Sequence, residues 1–532
     1  MHQAPLSYSR YRSPKRGGNY RGGSSKIGDR SKIFFDKRWR EEDKLELGEQ
    51  HLLAAPMYSS ALCTTRLRRR AALILPLAIA AVCAAGCASV SDSWKSIHAA
   101  RLFHRHGVKF ADGEGPISNP QGHAIIASLE QATGSTDILH RHLAFEQAIT
   151  GSSLIVGNKV TLLENGADTY RAMFNAIEGA DDNINLETYE FDDDPIGQEF
   201  ADALIAKQRA GIQVNVIYDS FGSLGTPESF FHRMRESGIR VLQFNPLSPM
   251  ARRFHWSAAH RDHRKLLVVD GKIAIMGGIN ISNVYSSSPG SGHVERERGK
   301  QVDLGSWRDT DIEIQGPAVA ECQKLFIAHW NGQKGRPLSP RHYFVTVQPQ
   351  GNQIVRIIGF SPGELSVIYV TLLSAINNSE SNVCITDAYF APDHKMLEAM
   401  ESASRRGVDV RLLLPGSPDT FLIGAAARSH YSDLLESGVK IYEWKGRMLH
   451  AKTATIDHVW STVGSSNLDW WSIARNDEIN ATILSVGFGA QMDRMFDTDL
   501  DNAVRIEPRQ WESRSLWERM KEAFARIIQP FL

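Results

Sequence analysis

His263-Arg264-Lys265-Leu266-Leu267-Val268-Val269-Asp270 has a second copy in this chain, His450-Ala451-Lys452-Thr453-Ala454-Thr455-Ile456-Asp457. Both have the form H-x-K-x4-D. Six residues later each runs into a small pair, a spacer and an asparagine: Gly277-Gly278-Ile279-Asn280 in the first, Gly464-Ser465-Ser466-Asn467 in the second. A His and a Lys two apart on one strand are ordinary surface. Two copies with the same reach from His to Asn are hard to explain by chance.

Leu266 to Val269 and Thr453 to Ile456 are short apolar or β-branched runs, so each motif reads as a strand. Asp270-Gly271 signals a hairpin, with Ile273 to Met276 as the returning strand. Residues two apart on a strand share a face, which puts His263 beside Lys265. Folding at Asp270-Gly271 or at Gly271-Lys272 predicts the Asn280 side chain on the His263 face, and the same arithmetic predicts Asn467 beside His450. Asp270 and Asp457 sit five residues past the lysines, roughly 16 Å along an extended strand. They are expected at the turns, in a structural role.

The chain on either side of the motifs is a duplication. Helical spacing over Asp168 to Ala180 and Pro195 to Ala210 alternates with strands over Ile184 to Glu190 and Gly211 to Tyr218. The second half repeats this with helices at Leu365 to Ile376 and Asp393 to Arg406, and strands at Val383 to Phe390 and Gly407 to Leu414. Ser237-Gly238-Ile239-Arg240-Val241 and Ser437-Gly438-Val439-Lys440-Ile441 are nearly the same words. Strands alternating with helices predict an α/β fold: two tandem lobes with mixed sheets, packed as a pseudo-twofold pair with both hairpins at the interface. The predicted organisation is an extension over 1–56, a leader over 57–87 and a helical lead-in over 88–156. The first lobe then spans 157–336, the second 353–505, and an amphipathic helix 506–532. The Pro-bearing stretch 336–352 is the expected connection.

The paired motif resembles the signature of the phospholipase D superfamily, whose fold is this pair of lobes. Met448-Leu-His-Ala-Lys-Thr453, Trp460 to Trp470, Tyr389-Phe-Ala-Pro392 and Asn476-Asp-Glu478 look very like bacterial cardiolipin synthases. The resemblance covers roughly 155–505. It implies transfer of a phosphatidyl group from one phosphatidylglycerol to another, giving cardiolipin and glycerol, without a cofactor. It also implies His263 as nucleophile and His450 as acid/base, with the motif residues Lys265, Asp270, Lys452 and Asp457 in the catalytic set. Asp309 and Glu478, on later strands, match the acids that orient the histidines.

These residue types suit a phosphodiester. Lysines and asparagines (Lys265, Lys452, Asn280, Asn467), with the small Gly278 and Ser465, are expected to hold the phosphate oxygens and the charge that builds on them. One imidazole attacks phosphorus while the other protonates the departing alcohol. Scattered histidines and two body cysteines, Cys322 and Cys384, show no metal spacing, and no metal is expected. An exported phospholipase D that hydrolyses to phosphatidic acid would share every one of these residues. A nuclease of the same superfamily should be basic. A non-catalytic lipid-binding protein should have lost a motif, and neither motif is decayed.

The formal net charge of zero hides an asymmetry. Residues 1–70 hold 16 Lys/Arg against 7 Asp/Glu, leaving the remainder acidic and arguing against a nucleic-acid partner. Residues 71–86 are a short apolar run behind Arg66, Arg68, Arg69 and Arg70, too short for an ordinary spanning helix and suited to a signal peptide. Ala84-Ala85-Gly86-Cys87 resembles a lipoprotein box, so Cys87 is the expected lipidation site and Met57 the expected start, with an uncleaved membrane anchor or a buried helix as the other readings of the run. The enzyme is then expected at the membrane surface of a bacterial cell envelope, on its outer side. Trp511, Trp517, Met520, Phe524, Ile527, Ile528 and Phe531 approximate helical spacing with basic residues between them. That pattern fits either an interfacial helix or one packed onto the body.

Overall fold

The two halves fold to the same sheet order. The computed structural model describes residues 108–246, 259–286, 294–297, 300–303, 306–333, 336–363 and 366–529. The first half supplies β1 (Leu154–Leu163), β2 (Asn183–Thr188), β3 (Gln213–Asp219), β4 (Arg240–Phe244), β5 (Leu266–Val269), β6 (Ile273–Gly277) and β7 (Asp311–Gln315). The second supplies β8 (Gln353–Phe360), β9 (Asn382–Thr386), β10 (Asp409–Pro415), β11 (Lys440–Trp444), β12 (Thr453–Ile456), β13 (Trp460–Gly464) and β14 (Asn476–Leu484). The first sheet runs β4-β3-β2-β5-β6-β7-β1, the first three strands parallel and the rest antiparallel. The second repeats it as β11-β10-β9-β12-β13-β14-β8. β1 belongs to both, because its first half pairs with β8 and its second with β7.

Eight helices cover the sheets in matching places. They are α1 (Gly166–Glu178), α2 (Pro195–Arg209), α3 (Glu228–Glu236) and α4 (Val319–Gly332), then α5 (Val367–Asn377), α6 (His394–Arg405), α7 (Tyr431–Glu436) and α8 (Val486–Asp501). Short polar side chains start α1, α2 and α6: Asn165 accepts from the Asp168 amide at 3.1 Å, Asp194 from Gly197 at 2.9 Å and Asp393 from Met396 at 2.9 Å. With helices on both faces, β2 and β3 are buried at every position, which is why their sequences do not alternate. Between the lobes, Leu266, Met276, Phe326, Val463, Ile479 and Met492 share one apolar core drawn from both halves. Arg308 crosses the same interface to clasp both carboxylate oxygens of Asp499, at 2.9 and 2.8 Å.

Several expectations are corrected. The strands predicted over Ile184 to Glu190 and Val383 to Phe390 end at Thr188 and Thr386. The chain turns there, through Thr188 donating to the Glu190 carbonyl at 2.9 Å and Tyr389 N–H to Asp387 at 3.1 Å. The hairpin register differs too. Val269 pairs with Ile273 and Ile456 with Trp460, so each turn holds three residues and neither expected fold of the hairpin is used. Continued past Leu266, this ladder would set His263 opposite Ile279 and turn Asn280 to the other face. The regular strand begins only at Leu266, and His263 and Lys265 lie in extended chain before it.

The lead-in helices, Asn119–Thr133 and Leu143–Thr150, pack on the second lobe. Glu146 pairs there with the buried Arg356 at 2.6 Å. Cys322 and Cys384 are buried free thiols. Among the described residues no helix is long and apolar enough to cross a membrane. Cys87 and the whole leader lie outside the described residues.

Candidate active site

Each motif histidine is held by a carboxylate of the other lobe. Residues Arg261–Asp262 pair in parallel with Asn476–Asp477, and the His263 N–H donates to the Asp477 carbonyl at 2.9 Å. That strand pairing sets the His263 ring over the next residue of β14, Glu478, whose two oxygens both lie 3.1 Å from Nδ1. The reciprocal contact bridges Arg308 to Leu449, with the His450 N–H donating to the Arg308 carbonyl at 2.7 Å. It sets His450 Nδ1 2.6 Å from Asp309 Oδ2. A carboxylate only accepts, so Nδ1 of each ring carries the proton and Nε2 is the nitrogen available for chemistry.

The lysines follow their histidines. Lys265 Nζ donates to the His263 carbonyl at 2.6 Å, and Lys452 makes the same contact with His450. Lys265 lies 5.2 Å from the Tyr189 ring and Lys452 6.0 Å from Tyr389. Those tyrosines meet the histidines edge-on, Tyr189 at 5.2 Å from His263 and Tyr389 at 5.9 Å from His450. The four residues of the two motifs therefore sit between two aromatic walls. All four are buried.

Charge crowding tunes them. Burial and the charge of the nearby Lys452 lower His450 to about 3 against the pull of Asp309. Burial also lowers His263, partly countered by Glu478, with Lys265 and Lys452 adding to the fall. Lys265 drops to about 7 through burial, with Glu478 attraction opposing and Lys452 repulsion adding. Burial alone would raise Glu478, yet His263, Lys265 and a hydrogen bond from Ser465 hold it below its ordinary value. Each lysine is thus close enough to perturb the other lobe's histidine. The two half-sites form one site.

The remaining expected residues separate into groups. Asp270 and Asp457 stand at the turns with φ of 53° and 51°. The Asp270 carboxylate accepts from the amides of Asp181, Asp182 and Asn183 at 2.9, 2.8 and 2.9 Å, away from the histidines. Asp457 does the same for Glu380, Ser381 and Asn382. Asn280 exchanges contacts with Glu190, its Oδ1 accepting from the Glu190 N–H at 3.3 Å. Asn467 lines a narrow cavity with Lys452 and Asp387, and its buried Oδ1 has no partner. Gly278 and Ser465, expected against a phosphate, instead abut the orienting acids. A Cβ on Gly278 would fall 2.3 Å from Asp309 Oδ1, and the Ser465 hydroxyl donates to Glu478. Gly278 must lack a Cβ because it faces Asp309 in its own lobe, whereas Ser465 serves as a donor to Glu478 in its own.

Several site residues escaped the sequence reading. Tyr389 enters there only as part of Tyr389-Phe-Ala-Pro392, and Tyr189 was findable as the tyrosine just past the corresponding strand of the first half. Tyr285, whose hydroxyl lies 3.2 Å from His450 Nδ1, and Glu190, raised to about 7 by burial and Asp192, carried no such signal. A buried trio that could hold a metal ion was also missed. Ligand atoms of Glu187, Asp262 and His329 lie within 4.8 Å of one another, although the three are far apart in sequence. Glu187 pairs with His329 at 2.7 Å, and the Arg264 guanidinium stands 3.7 Å away. Burial raises both carboxyls, Glu187 to about 7, which suits a proton held between them as well as it suits a cation.

Two α/β lobes that each give a His, a Lys and a crossed carboxylate to their shared interface define an enzyme of the phospholipase D superfamily. Residues 173–287 and 372–500 match the family described as cardiolipin synthase, PLD-like domain. The chain is 32% identical over 381 residues to the major cardiolipin synthase ClsA of Bacillus subtilis, covering 70% of this chain and 76% of that one. It is 32% identical over 398 residues to a cardiolipin synthase of Listeria welshimeri, covering 74% and 80%. A crystal structure of phosphatidylserine synthase from Haemophilus influenzae shares the fold, with a TM-score of 0.55 at 14% identity over 73% of this chain and 97% of that one. The chain belongs to the cardiolipin synthase family.

Proposed function

We propose that this enzyme moves a phosphatidyl group from one phosphatidylglycerol to a hydroxyl of another, forming cardiolipin and releasing glycerol. The observation that carries the reading is the pair of crossed His–carboxylate contacts, 3.1 Å and 2.6 Å, beside two buried lysines. Nε2 of His263 attacks phosphorus and the P–O bond to the first glycerol breaks. His450 gives that alkoxide a proton. His450 then takes the proton of the incoming hydroxyl, whose oxygen displaces His263 as the P–N bond breaks. Lys265 and Lys452 balance the phosphate charge throughout, with Asn467 supplying an amide beside Lys452. Burial chiefly depresses His450, and a bound phosphodiester would offset the part added by Lys452 and Lys265, so its proton is held better when substrate is present.

The site exchanges one phosphodiester for another and draws its energy from the bond it breaks, so no nucleotide is consumed. A lipid substrate places the enzyme at a bacterial membrane, and a processed, acylated Cys87 would keep it there. Incubation with phosphatidylglycerol vesicles followed by thin-layer analysis tests the activity. Cardiolipin and glycerol are expected. Phosphatidic acid in their place would make the enzyme a hydrolase. Rapid quench with mass analysis should find a phosphoryl adduct on the peptide carrying His263. Intact mass of protein from membranes tests the lipid anchor.

A further inference from the structure

We propose that a bilayer surface is bound by an outward apolar face formed by the rim of the site and the C-terminal helix, Leu516–Ile528. This rests on the reading of the substrates as phospholipids and names the surface through which the enzyme reaches them.

The C-terminal helix is inverted. It has its own capping box at Ser515 and Glu518, so it is a complete element and not a frayed tail. It packs on the body through its polar and small side, where Ala525 is buried against Ala391, Ala425 and Ala426 and Glu522 faces Arg428 at 3.8 Å. Leu516, Trp517, Met520, Phe524 and Ile527 face the other way and are 79, 63, 62, 59 and 68% exposed. Of the two arrangements open to an amphipathic helix, the chain adopts the one that leaves its large apolar residues in water. A water-facing stripe of this kind marks an interaction surface.

The face continues to the mouth of the site. Lys521 Nζ lies 5.4 Å from the Trp517 ring and 5.9 Å from Phe421, joining the helix to the Phe421–Arg428 helix. Phe421 is 65% exposed and Leu422 is 37% exposed. The loop just before Phe421 holds Asp419, which accepts a hydrogen bond from the Tyr389 hydroxyl at 2.8 Å, and Tyr389 walls His450 and Lys452. The first lobe repeats the device. Phe221 and Leu224, 52 and 67% exposed, stand on the loop whose Gly222 is pressed against the Tyr189 carbonyl, and Tyr189 walls His263. Both rims of the site are thus apolar and exposed at matching points of the repeat.

The occupant this fits is a bilayer containing anionic phospholipid. Lys521 sits among the apolar residues, where a lysine keeps its stem in the apolar layer and its charge at the phosphates. Arg519 lies on the same exposed helix. A protein partner would have to cover two rims and a helix at once and so block substrate entry, whereas a bilayer delivers it.

The test uses the full chain and vesicles of phosphatidylglycerol and phosphatidylcholine doped with a phosphatidylcholine that carries a diazirine in its acyl chain. After irradiation, adducts are expected on peptides containing Trp517 to Ile527 and Phe421. Labelling confined to other segments, 71–86 included, would overturn the proposal, as would protection of the helix by a second copy of the chain. A double variant, W517E with F524E, should lower turnover on vesicles at least about tenfold. It should leave turnover on a short-chain phosphatidylglycerol dissolved as monomers within about twofold. Equal loss on both substrates, or loss on neither, overturns the docking face. If the wild-type enzyme turns over neither substrate, the functional reading fails while the labelling pattern still decides this one.

Discussion

His263 takes its carboxylate from a residue 215 positions away. Both oxygens of Glu478 lie 3.1 Å from its Nδ1, and neither is exposed to solvent. Asp309 serves His450 in return at 2.6 Å. Each motif histidine therefore meets its carboxylate only when the two lobes are docked.

Replacing Glu478 with Gln or Asp309 with Asn should keep the fold and lower kcat by about 10³ to 10⁴, because the ring loses its fixed tautomer. Steady-state kinetics with thermal melting checks this. A loss of stability equal to the loss of activity would mean that the carboxylates serve the interface alone.

His263→Ala and His450→Ala should each abolish turnover, and the double variant should be no slower than the slower single. Groups that act in one covalent cycle lose their effect together, so the losses do not add. A double variant slower by the product of the two would separate the half-sites.

Lys265→Ala and Lys452→Ala should each cost about 3–4 kcal/mol of transition-state stabilisation, or about 10² to 10³ in rate. The pH profile distinguishes the first. Lys265 stands at about 7 in the free enzyme, lowered mainly by burial. Its cation is lost as pH rises through that value, so kcat/KM should fall above about pH 7. Lys265→Arg, which stays charged, should remove that limb while lowering the maximum. A limb unchanged by Lys265→Arg assigns it elsewhere.

Asp270→Asn should act on stability. Its carboxylate anchors three amides at the start of β2, and charge-assisted hydrogen bonds are worth about 1.5–3 kcal/mol when a buried partner is lost. Melting should shift down while activity survives at low temperature. An unchanged melt with lost activity would place Asp270 in the chemistry.

The repeat in the sequence was enough to define two α/β lobes and the strands over Leu266–Val269 and Thr453–Ile456, because strand runs and motif spacing are local properties, whereas Asp309 and Glu478 were singled out only through the family resemblance. Asp270 and Asp457 could be placed at turns by counting along a strand. The register of the hairpin could not, since Asp270 adopts a left-handed φ of 53° and gives the turn three residues, a choice made by the amides it accepts from across the fold. Nor could the sequence say which acid meets which histidine. Glu478 reaches His263 because Arg261–Asp262 pair with Asn476–Asp477, a contact between lobes that no spacing within one lobe contains. The C-terminal pattern was equally legible as packed or interfacial. Tertiary packing decided which side faces the body, because Ala391, Ala425 and Ala426 cover Ala525 and Arg428 faces Glu522, leaving Trp517 and Phe524 facing out.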